Sequence, residues 1–165
     1  MVKHVEVDSV GGASNRIGKQ PVPSYCELEM TIDGEGYIRL DLDDIHFELY
    51  DDEKRNYYIQ CKPKDAGNPA FLQFRGEDLT SYSKYIISGD SEPGHVFTFF
   101  EISDFADGTF GDPSGEFRVK KVTEDIDGLW FIAEFDFNVL FYPRDSTKEV
   151  VYHVKSQQFQ VQVNA

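Results

Sequence analysis

The sequence predicts an all-β fold, a single antiparallel β-sandwich or β-barrel with a long, bulged C-terminal hairpin. From Phe131 to Phe141, apolar side chains alternate with mostly polar ones, which is the period of an extended strand with one buried face. From Tyr25 onward, short apolar segments are separated by turns rich in Asp and Gly, at the spacing of a β-meander. No segment shows sustained helical amphipathicity, although the spacing within residues 79–86 leaves one helical turn open.

A length of 165 residues is typical of one domain that buries a core without metals or disulfides. Residues 1–23 are rich in glycine, proline and small polar residues, so we expect a flexible N-terminal arm. Val5, Val7 and Val10 could give this arm one edge strand. Residues 24–165 are then the single all-β domain.

The elements follow from alternation and turn chemistry. Tyr25 to Ile32 and Ile38 to Leu42 form a hairpin across Asp33-Gly-Glu-Gly36, whose glycines tolerate positive φ. The remaining predicted strands before the terminal hairpin are residues 45–50, 56–61, 70–74, 95–102 and 116–122.

The terminal hairpin carries a parity change in its second strand. Trp130 to Tyr142 would extend about 40 Å at about 3.3 Å per residue, so we expect this strand to bend. In its partner, one apolar set has even numbers and the next has odd numbers: Val150, Tyr152 and Val154, then Phe159, Val161 and Val163. A β-bulge at residues 155–157 would keep both sets facing the core.

The charge of the chain limits its partners. Thirty acidic against sixteen basic side chains give a net charge of −14, which argues against binding nucleic acid. Two interpretations of the charge stay open. It either serves solubility alone, or it attracts cations or a protein partner with a basic surface.

Cysteine usage and hydropathy bear on the compartment. Cys26 and Cys61 lie in separate predicted strands, so we expect two buried thiols, or one bridge if the protein is exported. The start lacks the apolar run of a signal peptide, and no segment is long enough to span a membrane. As written, the chain is expected in the cytoplasm, or outside the cell if a signal peptide has been removed.

Calcium is the one cofactor that the sequence suggests. Residues 123–134 match an EF-hand loop at its third, fifth, sixth and last positions, but Thr123 replaces the first carboxylate and Glu134 lies in a predicted strand. We therefore interpret Asp125-Ile-Asp-Gly128 as a hairpin turn. A looser calcium site between loops would use five aspartates in turns, namely Asp104, Asp107, Asp112, Asp125 and Asp127. The alternative is that Asp is simply a favoured turn residue.

A carboxylate pair is the one enzyme-like feature. Glu134 and Asp136 project from the same strand face about 7 Å apart, a separation used by glycoside hydrolases. Glu134-Phe-Asp-Phe-Asn-Val139 resembles the Glu-x-Asp-x-x-Glu strand of jelly-roll glucanases, whose two glutamates are the nucleophile and the acid/base. The resemblance covers six residues, Val139 replaces the second glutamate, and the chain is short for that family. The alternative is a solvated strand face.

Aromatic residues at strand ends or opposite the predicted core face supply further candidates. Their rings could stack on a sugar or anchor a partner, and ordinary packing is the alternative. The candidates are Tyr57, Tyr58, Trp130 and Tyr142.

These features lead to a ranked set of hypotheses. The first is a non-catalytic, acidic β-domain that binds a protein partner, with inhibition as one form of that role. The alternatives are a calcium-assisted carbohydrate-binding module and a barrel that encloses a small apolar ligand between rings such as Phe135 and Phe137.

Overall fold

A computed structural model describes residues 2–5, 24–50, 52–65, 67, 69–102, 108–145 and 147–164. Within these ranges there are eleven strands and no helix, which confirms the predicted all-β class. The helical turn left open at residues 79–86 is not formed, because residues 79–82 are a loop and turn and residues 83–86 belong to a strand. The strands are β1 (Val2–Val5), β2 (Tyr25–Ile32), β3 (Glu35–Leu42), β4 (Asp44–Tyr50), β5 (Tyr57–Lys62), β6 (Ala70–Gly76), β7 (Ser83–Ser88), β8 (His95–Ile102), β9 (Gly108–Asp125), β10 (Gly128–Pro143) and β11 (Val150–Asn164).

The strands form one sheet in the order β1-β4-β5-β6-β8-β7-β9-β10-β11-β2-β3. The described pairs are antiparallel except for β7 with β8. Asp43 alone connects β3, at one end of this order, to β4, near the other end. The ten strands β2 to β11 therefore make a nearly closed, barrel-like sheet, which resolves the choice between sandwich and barrel.

The predicted bulge in the terminal hairpin is confirmed. Ala133 pairs with Phe159, but Phe135 pairs with Ser156, so β11 uses three residues where β10 uses two. The pairing of β11 with β2 shows the same extra residue between Lys155 and Gln158. The two apolar sets of β11 consequently both face the core, as their burial shows.

Aromatic rings fill the interior. Phe159 contacts four other rings at centroid distances of 5.8–6.3 Å, namely Phe74, Phe117, Phe131 and Phe135. Burial of each phenylalanine contributes roughly 1.5–3 kcal/mol before conformational entropy is subtracted.

A second group of rings continues this core along the barrel. Phe110 lies 4.8 Å from Phe141 and 5.1 Å from Tyr152 between ring centroids. Phe137 connects the groups, 5.8 Å from Phe135 and 6.4 Å from Phe100. Phe135 and Phe137 thus pack against other rings.

Within the described ranges, no helix is long and apolar enough to cross a membrane.

Candidate functional site

The predicted carboxylates Glu134 and Asp136 lie on the outer face of β10, beside a depression of about 420 Å³. The neighbouring strands β9 and β11 supply its other walls, and the bulge of β11 forms one side. Besides this pair, the polar residues that line it are Ser114, Glu116, Arg118, Asn138, Lys155, Ser156 and Gln157.

Each carboxylate of this pair already has a cationic or imidazole partner. Glu134 lies 3.1 Å from Lys120 Nζ and 3.6 Å from Arg118 Nη1. An Asp136 oxygen lies 2.5 Å from Nε2 of His153 on β11. The outer face is therefore tied together by cross-strand pairs.

Glu116 extends this network to β7. It forms ion pairs with Arg118 at 2.7 Å and with Lys84 at 2.9 Å. Hydrogen bonds from Lys84 and Arg118 hold the pKa of Glu116 below its usual value. Because these groups are exposed, the pairs contribute little to stability individually.

The geometry does not supply the second carboxylate of the glucanase pattern. Val139 is buried on the core side of β10, whereas Glu134 and Asp136 project outward. A residue at position 139 therefore faces away from the depression. The two glutamates of the glucanase strand therefore do not share one face of β10.

The loop aspartates do not converge within the described residues. Asp104 and Asp107 lie outside them, and no group of three or more potential metal ligands occurs in the ranges that the structure covers. Asp112 and Asp125 are 125 − 112 = 13 positions apart on β9. They lie toward opposite ends of β9, and no group of three described ligands contains them, so the expectation that Asp112 joins Asp125 and Asp127 in one site was wrong.

The aspartates that can be placed have structural partners instead. Asp112 accepts a hydrogen bond from the Tyr142 hydroxyl, which raises the pKa of Tyr142 to about 12. Asp125 Oδ1 accepts the Asp127 amide at 2.8 Å and shapes the turn between β9 and β10. Residues 125–128 are thus the hairpin turn that the sequence predicts.

The predicted aromatic candidates do not form one surface. Tyr57 is 1% exposed, so its prediction as an exposed ring was wrong. Its side chain lies inside the barrel over Gly76, its cross-strand partner on β6. A Cβ at position 76 would come 2.5 Å from the Tyr57 hydroxyl. The absence of a side chain at Gly76 makes room for this ring.

The other three candidates are spread over the barrel. Tyr58 is partly buried, with the Arg75 guanidinium 5.2 Å from its ring centroid. Trp130 is half-buried, and its Nε1 has no partner among the described residues. Tyr142 is exposed, but it lies twelve positions from Trp130, at the other end of β10.

Two exposed apolar residues that the sequence analysis did not select stand at one end of the barrel. Tyr82 is 87% exposed, in the loop between β6 and β7, and Ile126 is 92% exposed, at the tip of the β9–β10 turn. The exposure of Ile126 could have been predicted, because this residue lies between two aspartates in a predicted turn. No local signal marked Tyr82.

The loop of Tyr82 is fixed to the barrel. Ser81 Oγ accepts the Val122 amide at 2.8 Å, and the Tyr85 hydroxyl donates to the Asp78 carbonyl. Tyr82 has a φ of +61°, a left-handed conformation that is unusual for a bulky residue. Such strain persists only where the surroundings impose it, so the hydrogen bonds hold Tyr82 outward.

We call residues 52–56, 77–82 and 124–128 the loop end, because contacts join these three segments. The Asp78 amide donates to the Lys54 carbonyl at 2.9 Å, and Arg55 forms a 2.9 Å ion pair with Glu124. The loop end contains seven acidic and two basic residues, a net charge of 2 − 7 = −5. It therefore presents apolar side chains within a negatively charged surround.

Comparisons with known proteins give no family or relative for this chain. No family model matches it, and neither a curated protein nor a solved structure shows significant similarity.

Proposed function

We propose that this protein is a non-catalytic, acidic binding domain whose loop end docks a protein partner with a basic surface. The observation that carries this proposal is the pair Tyr82 and Ile126, both almost fully exposed on hydrogen-bonded loops at the same end of the barrel.

The apolar side chains would provide most of the affinity. Burial of an isoleucine side chain contributes about 1.5–3 kcal/mol, and tyrosine is among the residues that dominate protein interfaces. Because the loops of Tyr82 and Ile126 are already held by hydrogen bonds, little conformational entropy is lost on docking.

The acidic residues would provide steering and selectivity. A local charge of −5 on a chain of −14 attracts a basic partner and repels acidic proteins and nucleic acids. Salt of about 0.15 M screens such attraction beyond about 8 Å, so the association rate should fall as ionic strength rises.

The test compares three immobilised proteins in a capture from lysate of the source cells: the wild type, the double variant Tyr82→Ser/Ile126→Ser, and Ile86→Ser as a matched control. Ile86 is 55% exposed on β7, outside the loop end. We expect a basic protein to be recovered by the wild type and the control, and at least about tenfold less by the double variant.

The captured protein is then purified and its affinity is measured at about 0.05 M and about 0.5 M salt. Weaker binding at high salt supports the charge component. Equal recovery by all three proteins, or no protein that discriminates among them, overturns the proposal. Circular dichroism and melting temperature establish that the variants are folded.

The alternatives have less support from the described residues. A calcium-assisted carbohydrate site would need converging carboxylates and an aromatic platform, yet Asp112 and Asp125 lie at opposite ends of β9. An enclosed apolar ligand would need space that the rings of Phe135 and Phe137 partly occupy through their mutual contact.

A further inference from the structure

The free edge of β3 is a second surface with features of a binding site. β3 is the last strand in the order of the sheet, and among the described strands it pairs only with β2. In the described part of the chain, no backbone hydrogen bond reaches its other side. An unpaired edge presents a row of N–H and C=O groups that can hydrogen-bond to another strand.

This edge is long and regular enough to accept a strand. β3 has eight residues, compared with four in β1 at the opposite end of the order. From Ile38 to Leu42 each residue pairs in unbroken register with β2. The extra residue of β3 and the positive φ of Gly36 (+69°) are confined to its start.

The edge also exposes apolar side chains on both faces. Tyr37 is 62% exposed on the outer face, where its hydroxyl bonds to Glu29 at 2.5 Å. Ile38 lies opposite the buried Met30, on the core-facing side, yet it is 38% exposed. A strand added beside β3 would cover Ile38 in the way that β11 covers Met30.

β3 has limited protection against the addition of another strand. Its eight residues include neither proline nor lysine, and its single arginine, Arg39, forms a 3.0 Å ion pair with Glu27 of β2. The bulge at Gly36 protects only the first positions.

Charge distinguishes between the candidate occupants. Residues 33–43 contain four acids and one arginine, a net charge of 1 − 4 = −3. Among the residues that the structure describes, Glu35 and Asp41 take part in no ion pair. A second copy of this acidic chain would bring like charges together, whereas a basic strand would neutralise them.

We propose that β3 binds an extended, basic segment of a partner protein, which adds to the sheet as a further strand. Backbone hydrogen bonds would hold the segment, apolar residues would cover Ile38 and Leu40, and a lysine or arginine would lie beside Asp41. This site is independent of the loop end, because it uses none of the residues 52–56, 77–82 or 124–128.

The test uses two synthetic eight-residue peptides, one alternating valine with lysine and the other alternating valine with glutamate. Each is titrated into the isotopically labelled full chain while amide resonances are followed by NMR. We expect the lysine peptide to shift the amides of Ile38 to Asp41 and to slow their hydrogen exchange. The glutamate peptide should leave them unchanged.

Three variants locate and characterise the interaction. Ile38→Lys places a charge on the edge and should weaken binding of the lysine peptide at least about tenfold. The double variant Glu35→Gln/Asp41→Asn should weaken binding of the lysine peptide and reduce its salt dependence. Because this variant preserves the side-chain sizes, it tests the site even if Ile38→Lys perturbs the fold. Tyr82→Ser should bind normally, which separates this site from the loop end.

Several results would overturn the proposal. These are equal binding of both peptides, shifts that lie outside β3, or full binding by folded Ile38→Lys. Concentration-dependent shifts of β3 amides without peptide would instead identify a second copy as the occupant, and would equally refute a basic partner strand.

Discussion

Phe135 lies directly opposite Ser156 in the β10–β11 pair, although two positions earlier Ala133 lies opposite Phe159. The extra residue of β11 turns Ser156 inward, where it is completely buried. Its hydroxyl has no hydrogen-bond partner among the described residues. The bulge that keeps both apolar sets of β11 in the core therefore leaves a polar atom unsatisfied.

Replacement of Ser156 by alanine should not destabilise the protein. Removal of an unsatisfied hydroxyl is expected to leave the free energy of unfolding unchanged or raise it by up to about 1 kcal/mol. Thr98→Val is the matched control, since the buried Thr98 hydroxyl donates to the Val96 carbonyl and its loss should cost about 1 kcal/mol. Urea denaturation measures both, and a clear loss of stability in Ser156→Ala would reveal a partner for its hydroxyl.

Deletion of Gln157 should be tolerated, whereas deletion of Gln160 should prevent stable folding. Without Gln157, Ser156 and Phe159 are two positions apart, like their partners Phe135 and Ala133, so both apolar sets of β11 still face the core in a pairing without a bulge. Without Gln160, the bulge remains but Val161 and Val163 turn toward solvent. Circular dichroism and thermal melting would contradict the bulge argument if both deletions behaved alike.

Gly115→Ala should be strongly destabilising, whereas Gly111→Ala on the same strand should be tolerated. A Cβ at position 115 would lie 2.1 Å from the Asp136 carbonyl oxygen, a backbone atom that cannot move aside. At position 111 the nearest atom, in the Tyr142 ring, is 3.6 Å away. We expect a loss of roughly 3 kcal/mol for Gly115→Ala and under about 1 kcal/mol for Gly111→Ala in denaturant titrations. Equal losses would show that β9 and β10 are farther apart here.

Phe159→Ala should remove the centre of the aromatic core. Phe159 is 1% exposed and contacts four rings, so we expect a loss of about 3–5 kcal/mol. Phe99→Ala, at a partly exposed position on β8, should cost under about 1 kcal/mol. Chemical denaturation of the two variants would refute the packing description if their losses were similar.

The Tyr142–Asp112 hydrogen bond should give a stability contribution that disappears at alkaline pH. Since the folded pKa of Tyr142 is raised to about 12, the contribution is fully present below the unfolded value of about 10 and is lost as pH rises through about 12. Tyr142→Phe should therefore melt below the wild type at neutral pH and approach it as pH rises from about 10 to about 12. A difference in melting temperature that stays constant over this range would contradict the assignment.

The bulge was predictable because strand alternation has a period of two, so a single extra residue shows directly as a change of parity between Val154 and Phe159. The same rule places Tyr57 inside, since it shares parity with Ile59 and Cys61, and the prediction of exposure overlooked this. The turn at residues 125–128 was also recognisable from its Asp-Gly chemistry.

The sequence by itself determined the strand pattern, the faces of the terminal hairpin and the acidic charge, because these depend on neighbouring residues and on composition. Only the tertiary structure decided that Asp43 joins the two sides of a nearly closed sheet, that Asp112 and Asp125 lie toward opposite ends of β9, and that the loops of Tyr82 and Ile126 share one end. Those features depend on strand order and register, which are set by packing between segments far apart in the chain. The free edge of β3 belongs to the same class, since no local pattern indicates which strand remains unpaired.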